Sequence, residues 1–419
     1  MPTKISVPSR RLSWCRYTVR LVYPGFPLRY IGPMKTRYLQ DAMQQWRRDF
    51  HQHPELGFEE HRTSGQVESL LKSFGIETYT GIGQTGVVGV LQRGNGTASI
   101  GLRADMDALP IHEINNFEYS STADGVMHAC GHDGHTSMLL GAAKHLAECG
   151  DFSGRVVFIF QPNEEHGFGA VAMLEDGLFD QHPVDAVYGM HNIPGMPVGT
   201  FATRAGPVTA SESLFEIRIA ARGGHAALPH MGVDAIVVGS EIVSALQTIV
   251  SRKLNPGLNG VVSVTEFTSD GARNVLPGNA VLRGDARALT PEINQTIEAR
   301  MRQIVEGVCH AHGVSGEVSY HTAFPATINS AACASRASAA ARSLLGDDCV
   351  DAECEPKLFS EDFAHMATAN QGCYLMMGNG TSGNHSKPLH SSDYDFNDEL
   401  LAVGSSYWVG LVEQELREH

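Results

Sequence analysis

A chain of 419 residues, 42% hydrophobic and 18% charged, is long enough to bury two cores and too apolar to be disordered over most of its length. Its formal net charge of −15 argues against nucleic acid or an anionic membrane as the main partner and suits a soluble enzyme. Eight cysteines, without the density or spacing of a disulfide framework, point to a reducing cytoplasm.

The chain opens on a basic head. Eight Lys and Arg residues precede Asp41, with no acid among them and with Pro8, Pro24, Pro27 and Pro33 interspersed. It has neither the continuous apolar stretch nor the small-residue cleavage site of a secretory signal. Residues 1–36 therefore read as a disordered extension, or as the result of an upstream start with Met34 as the natural one, in preference to the organelle transit segment that an Arg-rich, acid-free start weakly resembles. No apolar run approaches the roughly 20 residues that span a bilayer.

Helical periodicity then covers Leu39 to His53, stopped by Pro54, and Arg62 to Phe74, stopped by Gly75. Strands are predicted at Val87–Leu91 and Ser99–Arg103, a long helix at Thr136–Cys149, a strand at Arg155–Phe160, a short helix through Met173 and a strand at Ala186–Tyr188. Near-continuous apolar strands alternating with helices indicate an α/β domain built on a mainly parallel sheet with helices on both faces. From Ser213 the rhythm changes to strand, helix, strand, strand, helix, strand, ending near Tyr320, which is the order of a ferredoxin-like βαββαβ unit. The α/β character returns with a helix at Ala331–Leu345, a strand at Cys373–Met377 and a last helix at Asn397–Glu418. The expected organisation is a catalytic domain in two pieces, 37–211 and 324–419, interrupted by an inserted lid or dimerisation domain at 212–323.

Candidate chemistry gathers at the ends of these strands. His128-Ala129-Cys130-Gly131-His132-Asp133-Gly134-His135 places a thiol and an imidazole just before the long helix, whose exposed N–H groups favour a thiolate. Glu164-Glu165 follows the Arg155–Phe160 strand, where ligands collect in open α/β sheets. Adjacent carboxylates diverge, so Glu165 as a metal ligand and Glu164 as a general base is a sensible division. His191 ends another strand and His390 sits in a Gly- and Ser-rich loop. Taken singly, each is an ordinary surface His, inert Cys or solvated acidic pair. Together they offer the mixed S, N and O donors that suit a borderline divalent ion.

The stretches Arg103–Pro110, His128–His135, Glu164-Glu165, Gly189–Asn192, Gly223–His230 and Ser360–Phe363 together resemble the metal-dependent aminoacylase and carboxypeptidase family. Within it they are most similar to the branch of hippurate hydrolases, N-acyl-amino-acid amidohydrolases and plant auxin-conjugate hydrolases. That resemblance implies a pair of divalent ions, of zinc, manganese, cobalt or nickel, held by Cys130, His132, Glu165, His191 and His390, with Cys130 as the bridge and Glu164 as the catalytic base. It implies that His225 reaches into the site of a partner subunit in a homodimer or homotetramer to polarise the scissile carbonyl. It also implies that Asn274 and Arg287 bind the substrate, a guanidinium being a natural reader of an amino acid's free carboxylate. Where the wider family has a His ligand this chain has Asp105, so Asp105 and the catalytic candidate Asp107 are expected to orient a ligand rather than to bind metal.

The expected activity is hydrolysis of the amide of an N-acyl or N-aroyl amino acid. Deacetylation of an N-acetyl-diaminopimelate type of substrate, hydrolysis of an aminobenzoyl-glutamate type, and a non-catalytic metal-binding module are the alternatives. Gly81-Ile82-Gly83-Gln84-Thr85-Gly86 satisfies the spacing of a dinucleotide-binding loop, but a strand rather than a helix follows it, so it reads as a turn.

Overall fold

In the computed structural model, which describes residues 32–417, an eight-stranded sheet carries the site. Its order is Glu77–Ile82, Gly86–Arg93, Gly154–Gln161, Ser99–Asp105, Ala186–Pro194, Gly372–Gly380, Phe201–Ala202 and Val350–Asp351. The four strands from Gly154–Gln161 to Gly372–Gly380 are mutually parallel. The first two strands pair antiparallel at one edge.

Strand periodicity explains why these central strands are apolar almost throughout. Val156, Phe158 and Phe160 join one core, beside residues of the helices Gln40–Gln52, His132–Cys149, Ala331–Leu345 and Leu400–Glu415. Val157 and Ile159, between them in sequence, join a second core with the helices Gly169–Glu175 and Phe363–Ala369. Successive side chains leave opposite faces, so only apolar residues suit both. Each such side chain, fully buried, stabilises the fold by roughly 1.5–3 kcal/mol.

A second sheet has the order Gly260–Ser269, Asn279–Ala288, Ser211–Ala220, Ser315–Phe324, with every pair antiparallel. The helices Ala235–Thr248 and Pro291–His312 pack on it through Phe215, Ile217, Ile219, Ile242, Ile297 and Met301. Both helices start at a side-chain cap, Asp234 accepting from the Ile236 N–H and Thr290 from the Ile293 N–H. The longer one stops at Gly313, whose φ of 64° suits glycine. This is the ferredoxin-like βαββαβ unit, interrupting an α/β fold with a mainly parallel sheet.

Three expectations change. Glu77–Ile82 is a strand that was not predicted, its alternation being masked by exposure; it forms a hairpin with Gly86–Arg93, which makes Gly81–Gly86 the turn between them. The helical stretch Ala235–Lys253 is long and apolar enough to cross a membrane, contrary to the reading above; Ala235, Val238, Ile242, Leu246 and Ile249 are buried against the second sheet. Of the basic head, residues 1–31 lie outside the described residues, but 32–36 are not a loose extension. The Gly32 N–H donates to Leu344 O, buried Thr36 binds Ser406 and Ala402, and Lys35 pairs with Glu413.

Candidate active site

Parallel strands end at the same edge of their sheet, and that edge gathers the candidates. Glu164 and Glu165 follow the Gly154–Gln161 strand, Asp105 ends its neighbour, and His191 lies in the next one. His132 is the first residue of the helix His132–Cys149. Gly131 before it has a φ of 89°, and a Cβ there would meet the Asn192 Oδ1 at 2.3 Å and the Tyr394 hydroxyl at 2.6 Å. Glycine is what lets this loop deliver Cys130 and His132 so close to the sheet.

Ligand atoms of Cys130, His132 and His191 lie within 4.8 Å of one another, as do those of Cys130, Glu165 and His390, and those of His132, Glu164 and Glu165. All five candidate ligands and the candidate base therefore converge, with Cys130 common to two of the groups. Cys130 Sγ is 3.3 Å from His191 Nε2, and His390 Nε2 is 3.4 Å from Glu165 Oε2. His390 is the exposed member. Its φ of 61° is unusual for a residue with a side chain, and its N–H donates to Ala129 O at 2.8 Å, tying this loop to the Cys130 loop.

Each buried imidazole is oriented through its Nδ1. His191 Nδ1–H donates to the Asn192 carbonyl at 2.7 Å, and His132 Nδ1–H to the Asp107 carbonyl at 2.9 Å, with Asp107 Oδ1 at 3.2 Å. Both Nε2 lone pairs are thereby left facing the cluster. Asp107 Oδ2 also accepts the Glu165 N–H at 3.0 Å, so one carboxylate places two candidate ligands. His132 Nε2 and Glu165 Oε1 are buried without a hydrogen-bond partner, as donors awaiting a cation would be.

Electrostatics agree with that fit. Burial, with Glu165 and Glu164 nearby, pushes the Cys130 thiol far above its usual pKa. Burial, with Glu361 and Glu165, does the same to the Glu164 carboxyl. Burial works against a charged His132, yet Asp105 and Asp107 outweigh it and lift its pKa to about 10. A desolvated site with this surplus of negative charge is suited to cations, which would displace the proton from His132 Nε2 and favour thiolate and carboxylate again.

Beneath the cluster lies a network that sequence reasoning missed. Arg103 is fully buried, donates to Asp105 Oδ2 at 2.8 Å, Asp362 Oδ1 at 3.0 Å and Gln161 Oε1 at 2.8 Å, and forms an ion pair with Glu361 Oε1 at 2.8 Å. Tyr374 donates its hydroxyl to Glu361. Glu361 and Asp362 in turn stand with Glu164 inside 4.8 Å. Asp105, the residue in place of a family ligand, has both oxygens committed: Oδ2 to Arg103, and Oδ1 to His135 Nδ1 at 2.6 Å. His135 continues to Asn192 Oδ1 at 2.8 Å. A charged Arg and Asp two residues apart on a strand that is otherwise uncharged and fully buried was the available signal, since buried charges are rarely unpaired.

His225 and Asn274 are not brought to this cluster. His225 is exposed in the two-residue strand Gly224–His225, which pairs with Val275–Leu276, and its Nδ1 accepts the Ala227 N–H. Asn274 is exposed beside it, its carbonyl accepting the Ala226 N–H at 3.0 Å. Arg287 lies in the strand Asn279–Ala288 of the second sheet. It donates to Glu212 and Asp285 at 2.9 Å each and to the Ser360 hydroxyl at 2.8 Å, one residue from Glu361.

Known proteins share this arrangement of the chain. It is 40% identical to the hippurate hydrolase of Campylobacter jejuni, covering 90% of this chain and 98% of that one. It is 38% identical to an N-acetylcysteine deacetylase of Bacillus subtilis, covering 87% and 94%. The solved structure of a dinuclear metal binding peptidase of the M20 family from Bacillus subtilis superposes with a TM-score of 0.79 at 32% identity, over 91% of this chain and 99% of that one. With residues 101–414 also matching the profile of Peptidase family M20/M25/M40, the chain belongs to that family.

Proposed function

We propose that this protein hydrolyses the amide bond of N-acyl or N-aroyl amino acids, such as hippurate, releasing a carboxylic acid and a free amino acid. The observation that carries the proposal is the convergence of five S, N and O donors, four of them gathered about Cys130, with an additional carboxylate, Glu164, beside His132 and Glu165. A purely structural metal would need no such extra carboxylate.

Cys130, His132, Glu165, His191 and His390 would hold two divalent ions, of zinc, manganese, cobalt or nickel, with Cys130 shared. When bound, such ions supply Lewis acidity and a water of lowered pKa. Glu164 accepts the proton of the attacking water and returns it to the departing amine. Asp107 keeps the His132 Nε2 directed inward. Arg287 receives the substrate carboxylate in competition with Glu212 and Asp285. His225 and Asn274 serve the site of a second copy, in a dimer or tetramer built on residues 212–323. Their own exposure, and that of Leu228, Met231, Ile236, Val237 and Val275 near them, supports this. The free thiols Cys130, Cys309, Cys333, Cys354 and Cys373, all buried, support the cytoplasm as its compartment. Deacetylation of small N-acetyl amino acids is the second reading, favoured by the likeness to N-acetylcysteine deacetylase.

Metal-reconstituted protein, offered N-benzoyl, N-acetyl and indole-acetyl amino acids, should release free amino acid fastest from the aroyl substrate. Glu164→Gln should lower kcat by about 10²–10⁴-fold with metal content by elemental analysis unchanged. Substantial turnover in that variant removes Glu164 as the base, and preference for acetyl substrates favours the second reading.

A further inference from the structure

The segment from Pro54 to Glu60, between the first two helices, enters none of the chemistry above, yet it packs against the back of the catalytic turn. Leu56 bridges to Ala108, and the Ala108 N–H donates to Glu55 O at 2.8 Å. Gly57 presses on Asn163 so closely that a Cβ there would lie 1.9 Å from Asn163 Oδ1. Glu60 is fully buried, and its two oxygens are divided. Oε1 accepts the Asn163 N–H at 2.8 Å, and Oε2 accepts the Thr85 hydroxyl at 2.5 Å.

Asn163 is the residue immediately before Glu164, and its φ of 46° puts it in the left-handed region. Asparagine tolerates that conformation better than most residues with a side chain, but at a cost relative to the right-handed region, so contacts that favour it fix it. The surroundings here are specific. Asn163 Oδ1 meets His166 Nδ1 at 2.8 Å, the Asn163 carbonyl accepts the Gly169 N–H at 3.1 Å, and its own N–H donates to the Glu60 carboxyl, whose pKa burial lifts to about 7. The direction in which Glu164 leaves the chain depends on this one residue's backbone.

We propose that Glu60 is a positioning residue, whose carboxylate holds Asn163 in its left-handed conformation and so aims Glu164 into the metal cluster. The inference rests on Glu164 being the base. Among the described residues the Glu60 carboxyl bonds to Asn163 and Thr85 and to none of the candidate ligands or substrate-binding candidates, so its loss acts on chemistry rather than on metal or substrate binding.

The test compares Glu60→Ala, Glu60→Gln, Asn163→Gly and the double variant Glu60→Ala/Asn163→Gly in metal-loaded enzyme with N-benzoyl-glycine. Glu60→Ala should lower kcat by about 10–100-fold with little change in KM and two ions still bound per subunit. Glu60→Gln, which keeps an acceptor for the Asn163 N–H, should stand well above it. The double variant should recover at least about fivefold over Glu60→Ala, because glycine adopts a positive φ without being held there. A Glu60→Ala enzyme within about twofold of wild type in kcat overturns the inference, as does loss of metal in that variant, or a double variant no better than Glu60→Ala. If wild type turns over and Glu164→Gln does not, any of these failures concerns Glu60 alone; if wild type fails on every acyl amino acid, the proposed function itself fails.

Discussion

The Cys130–His132 cluster and the His225–Asn274 ribbon meet opposite demands. In the cluster, nearly every polar atom is buried, and the chain itself must answer it: Asp107 for His132, Asn192 for His191, Arg103 for three carboxylates. In the ribbon, His225 and Asn274 are exposed, and water can satisfy them. Burial makes a site legible within one chain, because unpaired groups there are costly. Exposure leaves a functional residue without a visible task until another surface is placed against it.

That contrast can be broken most sharply at Arg103. Arg103→Met should destabilise the fold by about 3–5 kcal/mol, because it strands Asp105, Glu361 and Asp362 in the interior. Asn274→Ala should stay within about 0.5 kcal/mol of wild type. Urea midpoints of the two variants decide it, and equal stabilities would mean that the interior charges are not held as described. A smaller effect is expected at Asp107. Asp107→Asn should weaken metal binding by about 10–100-fold in a chelator competition, and an unchanged affinity would deny Asp107 its orienting role. The mildest deficit is expected from complementation. Mixing inactive His225→Ala with inactive Glu164→Ala subunits should restore about a quarter of wild-type activity if His225 works across a two-fold interface. No recovery, with subunit exchange demonstrated, would return His225 to its own chain.

Much of the catalytic half was readable in advance because its physics is local. Continuous apolar runs such as Val156–Phe160 can only be strands covered on both faces, and their ends mark where ligands gather. Cys130, His132, Glu164 and Glu165 sit at such ends or at a helix start, and were legible for that reason, whereas His191, expected to end its strand, lies inside Ala186–Pro194, which runs three residues further. The edge strand Glu77–Ile82 was not, since Thr-Tyr-Thr exposed at a sheet edge carries no alternation. Glu60, Glu361 and Asp362 escaped for a different reason. A carboxylate that pairs with residues roughly 25 to 260 positions away looks in sequence like any solvated acid, and only the tertiary contact reveals its work. Arg287 was legible as a cation and not as one already engaged by Glu212 and Asp285.

The site is also a matter of timing. Cys130, His132, Glu165 and His191 precede the βαββαβ unit in the chain, whereas Glu361, Asp362 and His390 follow it. A ribosome must therefore finish the whole intervening unit before the last donor and the partners of Arg103 emerge, and until then the nascent sheet exposes an arginine with only Asp105 and Gln161 to answer it. Closing contacts across such a separation is slow and exposes unfinished surface. In that order of residues, an ion held by all five candidate donors would have its full set of ligands only once His390 has emerged.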